Sequence, residues 1–236
     1  MKQFFDNCSK LAQLLLPQQC LLCAASSGKS ALCKDCHGDL PRHTIPACPV
    51  CALPAPQGEV CGLCLKHPPA FDATYAAFSY DFPVDALLKA LKYRGLLNVA
   101  DIVATEIATL MRHHPPPDLL IPMPLHPQRL QERGFNQSVE IARKLAQRNG
   151  YTLALECVIR TRHGEPQASL PLKQRAKNVK GVFAATQDLS GKTLLIVDDI
   201  MTSGASLHEL AKTLKKAGAT RVECYVVART LPHDNI

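Results

Sequence analysis

The sequence predicts an α/β protein, a parallel sheet flanked by helices, with a small cysteine-rich metal module in front of it. Three observations predict this. Four CxxC pairs crowd into residues 20–64. Past Pro68-Pro69, apolar runs of strand length alternate with segments of helical spacing. One of those runs, Thr193 to Val197, ends in two acids followed by Thr-Ser-Gly-Ala-Ser.

The bulk composition allows such a fold. A chain of 236 residues, 47% hydrophobic, can bury one medium core and a smaller module and is too apolar to be disordered. Lys and Arg number 27 against 20 for Asp and Glu, a net charge of +7. Most of the excess lies between Lys89 and Lys180. Such a balance favours a polyanion, and equally suits a solvated basic face. The leading stretch MKQFFDNCSKLAQLLLP is interrupted by polar and charged residues throughout. It reads as a short amphipathic helix over residues 1–18, not as a signal peptide. No run approaches the roughly 20 apolar residues that cross a bilayer, so a cytoplasmic protein is expected. In a reducing compartment paired cysteines serve as metal ligands more often than as disulfides.

The cysteine module spans residues 19–69. Cys20, Cys23, Cys33 and Cys36 recur as Cys48, Cys51, Cys61 and Cys64, each 28 positions on (20 to 48, 23 to 51, 33 to 61, 36 to 64), which marks a tandem duplication. A CxxC turn lets two thiolates converge on one ion, and two turns complete a tetrahedral shell. The eight cysteines therefore imply two Zn²⁺ sites. They pair either sequentially, each repeat closing its own site, or in a cross-braced arrangement. Four thiolates would also suit an iron–sulfur cluster. A closed all-cysteine shell has no open coordination position, so these sites are expected to be structural, standing in for a core that so short a segment cannot build. Cys8, Cys157 and Cys224 read as small buried apolar residues or bystanders.

The α/β domain covers residues 70–236. Helical spacing is expected from Asn98 to Met111, a short strand over residues 118–123, and a helix over residues 137–148. A fully apolar strand, residues 193–197, is followed by a helix over residues 206–217 and a closing strand over residues 221–228. Alternation of this kind makes a parallel, covered sheet. Ligands of such sheets bind beyond the carboxyl ends of the strands, so Asp198 and Asp199 are placed to accept hydrogen bonds from a pair of sugar hydroxyls. Thr202, Ser203, Gly204, Ala205 and Ser206 bring hydroxyls and successive N–H groups to a helix N-terminus, an anion cradle suited to a phosphate monoester. An acid pair beside a phosphate cradle describes ribose 5-phosphate. The same residues would also make an ordinary capped strand-to-helix turn.

The stretch LLIVDDIMTSGAS resembles the motif with which type I phosphoribosyltransferases bind 5-phosphoribosyl-1-pyrophosphate (PRPP). The resemblance implies that fold for residues 70–236, with Asp198 and Asp199 on the ribose hydroxyls, Thr202 to Ser206 on the 5-phosphate, and Mg²⁺ accompanying PRPP. The double zinc ribbon, Lys92-Tyr93, the block IPMPLHPQRLQERGFNQS and this motif follow one another as in the ComF family of competence and DNA-utilisation proteins, which the whole chain resembles. That resemblance implies pyrophosphate binding at Pro124, Leu125 and His126, with Arg129 and Arg133 as counter-charges. Asn136 and Gln137 would either cap the following helix or touch the ligand. Residues 160–181 would form the hood over PRPP, in which Arg162, Arg175 and Lys177 could meet pyrophosphate or a nucleic-acid phosphate. Asp198, Asp199 and His126 are the candidates for catalysis, and His126 could equally be a satisfied loop histidine.

Three functions follow from the resemblance. One is a cytoplasmic protein that handles single-stranded DNA during natural transformation or DNA utilisation, with the PRPP site as a required pocket. A second is a phosphoribosyltransferase salvaging a nucleobase or another acceptor, and a third is a non-catalytic PRPP-sensing regulator. Expected partners are PRPP or a related sugar phosphate, single-stranded DNA, and helicase-type or other competence and DNA-processing proteins, which would bring the chain to the inner face of the membrane. The 12 Phe and Tyr residues, with no Trp, offer few platforms for stacking bases.

Overall fold

The fold was taken from a computed structural model that describes residues 18–28, 30–162 and 179–232. The amphipathic segment expected at the N-terminus and the body of the expected hood, with Arg175 and Lys177, lie outside these residues. Two compact units divide between Pro41 and Arg42, so the second cysteine group shares a unit with the sheet.

In the first unit β1 (Gln18–Gln19) pairs antiparallel with β2 (Ser26–Gly28), and α1 (Lys34–Gly38) starts at its cap Cys33. Ala31, Leu32 and Leu40 are buried beside Cys20. So small a core cannot hold the unit alone, and its cysteines must supply the remainder.

In the second unit α2 (Gly62–Lys66) follows the cysteine repeat and leads to a parallel sheet. Its strands are β3 (Ala73–Ser79), β4 (Leu119–Pro122), β7 (Thr193–Met201) and β8 (Arg221–Arg229), in the order β3-β8-β7-β4. β7 and β8 lie in the middle and are buried along nearly their whole length, which is why they read as largely apolar runs, Leu194 to Val197 and Cys224 to Ala228, and not as alternating ones. Between β3 and β4 come α3 (Val84–Arg94) and α4 (Asn98–Met111). α5 (Pro127–Arg133) and α6 (Gln137–Asn149) follow β4, and α7 (Ala205–Lys216) joins β7 to β8. Residues Val158–Arg160 (β5) and Phe183–Ala185 (β6) pair as an antiparallel hairpin at the base of the expected hood.

The helices bury one stripe each: Leu87, Leu88 and Leu91 on α3, Ile141, Ala142 and Leu145 on α6, Leu207, Leu210 and Leu214 on α7. α4 and α6 pack on each other and on the sheet, while α7 packs on β8 and β6. One core runs from Ile121, Ile196 and Val226 through Phe71 and Met201 to Cys48, Cys51 and Cys64. Cys157 and Cys224 are buried in it too, as expected of small apolar side chains.

The structure departs from the sequence pattern at one instructive place. β7 does not stop before its acids but continues through Asp198, Asp199 and Ile200 to Met201, with Asp198 opposite Val226 and Met201 opposite Arg229 on β8. Carboxylates in a buried strand are tolerated only with partners, and both acids have them.

Candidate functional site

Asp198 and Asp199 are 8% and 5% exposed at the carboxyl end of the sheet. Ser138, in the first turn of α6, donates from Oγ to Asp198 Oδ1 at 3.0 Å, and the Asp199 N–H donates to the same oxygen at 2.9 Å. Lys92, near the end of α3, brings Nζ to 2.8 Å from Asp199 Oδ2. Burial and the charge of Asp199 push the Asp198 carboxyl up to about 8. Asp199 is held below the usual carboxylate range: burial would raise it, and the ion pair with Lys92 overrides that. At neutral pH the pair thus holds one proton and one charge.

Beyond the acids the chain turns through Thr202 and Ser203 into α7. Gly204 adopts φ +75°, and a Cβ there would stand 2.7 Å from Met201 Cε, so the turn admits only glycine comfortably. The N-terminus of α7 opens onto a small pocket of about 30 Å³. It is bounded by Asp198, Met201, Thr202, Gly204, Ala205 and Ser206. Asp198 and the N-terminal turn of α7 therefore line one pocket, with Asp199 next to Asp198 on β7.

Cations gather around it. Burial works against the Lys92 ammonium, but Asp199 and Asp198 hold it above the usual lysine range despite nearby Arg133, which donates to Gln137 Oε1 at 3.3 Å and stacks over the Tyr93 ring at 5.7 Å. Arg160, at the end of β5, feels both Arg129 and Asp198; burial lowers its guanidinium, and its buried Nε has no hydrogen-bond partner among the described residues. His126 caps α5, its Nδ1 accepting the Gln128 N–H at 3.3 Å. Asn136 is a cap as well: Oδ1 accepts from the Ser138 N–H at 2.9 Å, and Nδ2 donates to the Met123 carbonyl at 3.0 Å. Arg162 donates to the Lys180 carbonyl and so closes the base of the hood segment.

Sequence reasoning missed Lys92, Ser138 and Arg160 as members of the site. Lys92 carried a faint signal, a lysine directly after the buried stripe that ends at Leu91, whereas Ser138 reads as a capping hydroxyl and Arg160 as one surface arginine among many. It also missed Arg229, the last residue of β8, which is 3% exposed.

The cysteines assemble sequentially. Cys20, Cys23, Cys33 and Cys36 form one group and Cys48, Cys51, Cys61 and Cys64 the other, with all sulfurs of a group within 4.8 Å of one another. The Cys23–Cys33 and Cys51–Cys61 sulfurs stand 3.7 and 3.6 Å apart. A tetrahedron with Zn–S of about 2.3 Å has an edge of about 3.8 Å, so both groups fit Zn²⁺. At one cysteine of each group backbone N–H donors favour the thiolate, while Cys23, Cys36, Cys51 and Cys64 are shifted upward. Burial raises Cys20, yet N–H donors from Cys33, Cys23 and Leu22 bring it down to about 6; Cys48 falls to about 7 in the same way under Cys61, Cys51 and Val50.

Among known families, residues 11–65 match a double zinc ribbon domain and residues 132–233 a phosphoribosyl transferase domain. The chain is 30% identical to the DNA utilization protein YhgH of Escherichia coli K12 over 92% of this chain and 100% of that one. It is 26% identical to competence protein F of Haemophilus influenzae, covering 89% and 96% of the two chains, and 24% identical to competence protein ComFC of Bacillus subtilis, covering 84% of each. A purine phosphoribosyltransferase from Pyrococcus horikoshii superposes with a TM-score of 0.36 and 19% identity over 58% of this chain and 90% of that one. With this likeness to the YhgH protein over 92% of its length and two matching domain families, the chain belongs to the ComF family of competence and DNA-utilisation proteins, with a double zinc ribbon and a phosphoribosyltransferase-type domain.

Proposed function

We propose that the second unit binds PRPP and that this pocket serves the handling of single-stranded DNA in natural transformation or DNA utilisation. The observation that carries the first half is Asp198, one of two adjacent buried acids, lining the same pocket as the N-terminus of α7. The acids accept the ribose hydroxyls, and the turn from Thr202 to Ser206 takes the 5-phosphate on N–H and hydroxyl donors. Pyrophosphate lies against Pro124, Leu125 and His126 and meets Arg133, Arg129 and Arg160, whose unpartnered Nε suits a phosphate oxygen. Mg²⁺ would be held mainly by the ligand and water and would supply charge neutralisation on the pyrophosphate.

The DNA half rests on the relatives' names and on the rim of the pocket. Tyr93 is 68% exposed with Arg133 over its ring, next in sequence to the lysine that reaches Asp199. An exposed aromatic beside cations is a platform on which a base of any identity can stack. No helix among the described residues is long and apolar enough to cross a membrane.

Calorimetry with PRPP and Mg²⁺ on the wild type and the Asp198→Asn/Asp199→Asn variant tests the pocket: binding is expected to drop by at least about 100-fold, the size of two lost charge-assisted contacts. Equal affinity would refute the assignment. The same variant, returned to a deletion strain, is expected not to restore transformation. Full restoration would separate the pocket from the DNA role.

A further inference from the structure

The second cysteine group and the phosphate turn share a buried arginine. Arg229, the last residue of β8, donates from Nε to the Cys51 carbonyl at 2.9 Å and from one terminal nitrogen to the Met201 carbonyl at 2.9 Å, the Thr202 carbonyl, and the Thr230 carbonyl at 2.9 Å. Cys51 completes the first metal-binding knuckle of its group; Met201 and Thr202 begin the turn into α7. The guanidinium also lies in the field of the Cys51, Cys64 and Cys61 sulfurs. Four thiolates around Zn²⁺ leave a net charge of about −2, and Arg229 is the buried counter-charge beside them. On the other side of the knuckle the Thr74 N–H donates to the Pro49 carbonyl at 3.1 Å, so residues 48–51 are held to β3 as well. Met201 and Phe71, against which Gly204 sits, belong to the same apolar core as Cys48, Cys51 and Cys64.

We propose that Arg229 is a positioning residue which makes the second cysteine site part of the phosphate turn: metal held by Cys48, Cys51, Cys61 and Cys64 fixes the Cys51 carbonyl, the carbonyl and the metal's charge fix the guanidinium, and the guanidinium fixes Met201 and Thr202. Only arginine suits this position. Its planar fork reaches carbonyls on two sides of one buried point, whereas a lysine ammonium is a single point charge. A site that in sequence is one half of a repeat thus contributes to ligand binding through backbone geometry, without touching the ligand. The consequence for PRPP rests on the reading of residues 202–206 as its phosphate cradle; the coupling of metal to turn does not.

The test uses full-length, zinc-loaded Arg229→Lys. Hydrogen exchange by mass spectrometry is expected to speed up about tenfold in residues 200–206 while β8 and α6 keep wild-type protection, a local opening and not global destabilisation. A chromogenic chelator is expected to draw one of the two zinc ions away with an affinity lowered by about 10- to 100-fold, the usual effect of removing a partner that orients metal ligands, and the other at the wild-type level. If the variant does not fold, wild-type protein from which zinc is stripped in steps replaces it, and the same acceleration in residues 200–206 is expected at the step that empties Cys48, Cys51, Cys61 and Cys64. Wild-type exchange in the turn in either experiment overturns the proposal. PRPP affinity, measured in parallel, separates the two readings: a loosened turn with unchanged PRPP affinity supports the coupling and refutes the phosphate cradle.

Discussion

The two cysteine groups are copies of each other locally and opposites in their surroundings. Ala24 and Ala52, one residue past the first knuckle of each copy, both take the left-handed conformation, at φ 59° and 56°. Cys20 N–H donates to the Ala25 carbonyl and Cys48 N–H to the Leu53 carbonyl, each at 2.8 Å. The helices Lys34–Gly38 and Gly62–Lys66 again lie 28 positions apart (34 to 62, 38 to 66). Yet Cys23 is exposed and Cys33 and Cys36 half-buried, whereas Cys48, Cys51 and Cys64 are buried in the core of the sheet. Ligand spacing fixes the knuckle. What packs on it decides whether the metal stabilises only its own ribbon or a binding site as well.

The largest expected effect breaks this comparison directly. Cys51→Ser/Cys61→Ser removes a shell whose metal supplies folding free energy, and the thermal transition of the second unit is expected to fall by about 10 °C or more while staying cooperative. Cys23→Ser/Cys36→Ser, in the other compact unit, is expected to move that transition by no more than about 2 °C. Calorimetric melting of both variants decides; equal losses would show that burial does not distinguish the two copies.

A smaller effect sharpens the account within the second unit. Lys92→Met leaves Asp199 buried without its counter-charge, which costs about 3–5 kcal/mol in urea unfolding. Adding Asp199→Asn to Lys92→Met is expected to recover most of it, since the unpaired charge and not the lost contact is the source. A double variant as unstable as the single one would contradict the ion-pair assignment.

The shallowest readout is a pH slope of at most about 1.4 kcal/mol per pH unit, confined to the unit that holds the acids. The folded state keeps Asp198 protonated up to about 8, while in the unfolded chain the carboxyl ionises near 3.8. Between these values the folded state binds more protons, so the contribution of this group to stability is complete below about pH 4 and is lost as the pH rises towards 8. Asp198→Asn is expected to flatten the slope in urea unfolding of the ligand-free protein. An unchanged slope would place the retained proton elsewhere.

Much of this architecture is legible in the sequence, for identifiable reasons. The 28-residue repeat announces both metal sites because thiol spacing is covalent geometry. β7, α4, α6, α7 and β8 show through their periodicity. The acid pair and the turn from Thr202 to Ser206 are contiguous, so one look at the chain joins them. What escaped comes from distant segments. Lys92 and Asp199 are brought together only by the sheet, as are Ser138 and Asp198 or Arg229 and Cys51. The pairing of the cysteines also needed the fold, since both arrangements have the same spacing. Asn136 resolves as a helix cap because its amide spans from Ser138 to Met123, a contact that no local pattern encodes.

The central claim, that one of two duplicated metal sites shapes a PRPP pocket, is tested most directly by native mass spectrometry during stepwise zinc removal, with PRPP and Mg²⁺ present at each step. The account predicts two zinc ions per chain. The first to leave comes from Cys20, Cys23, Cys33 and Cys36 and does not change the PRPP-bound fraction; loss of the second abolishes it. PRPP binding that persists in the zinc-free chain would contradict it.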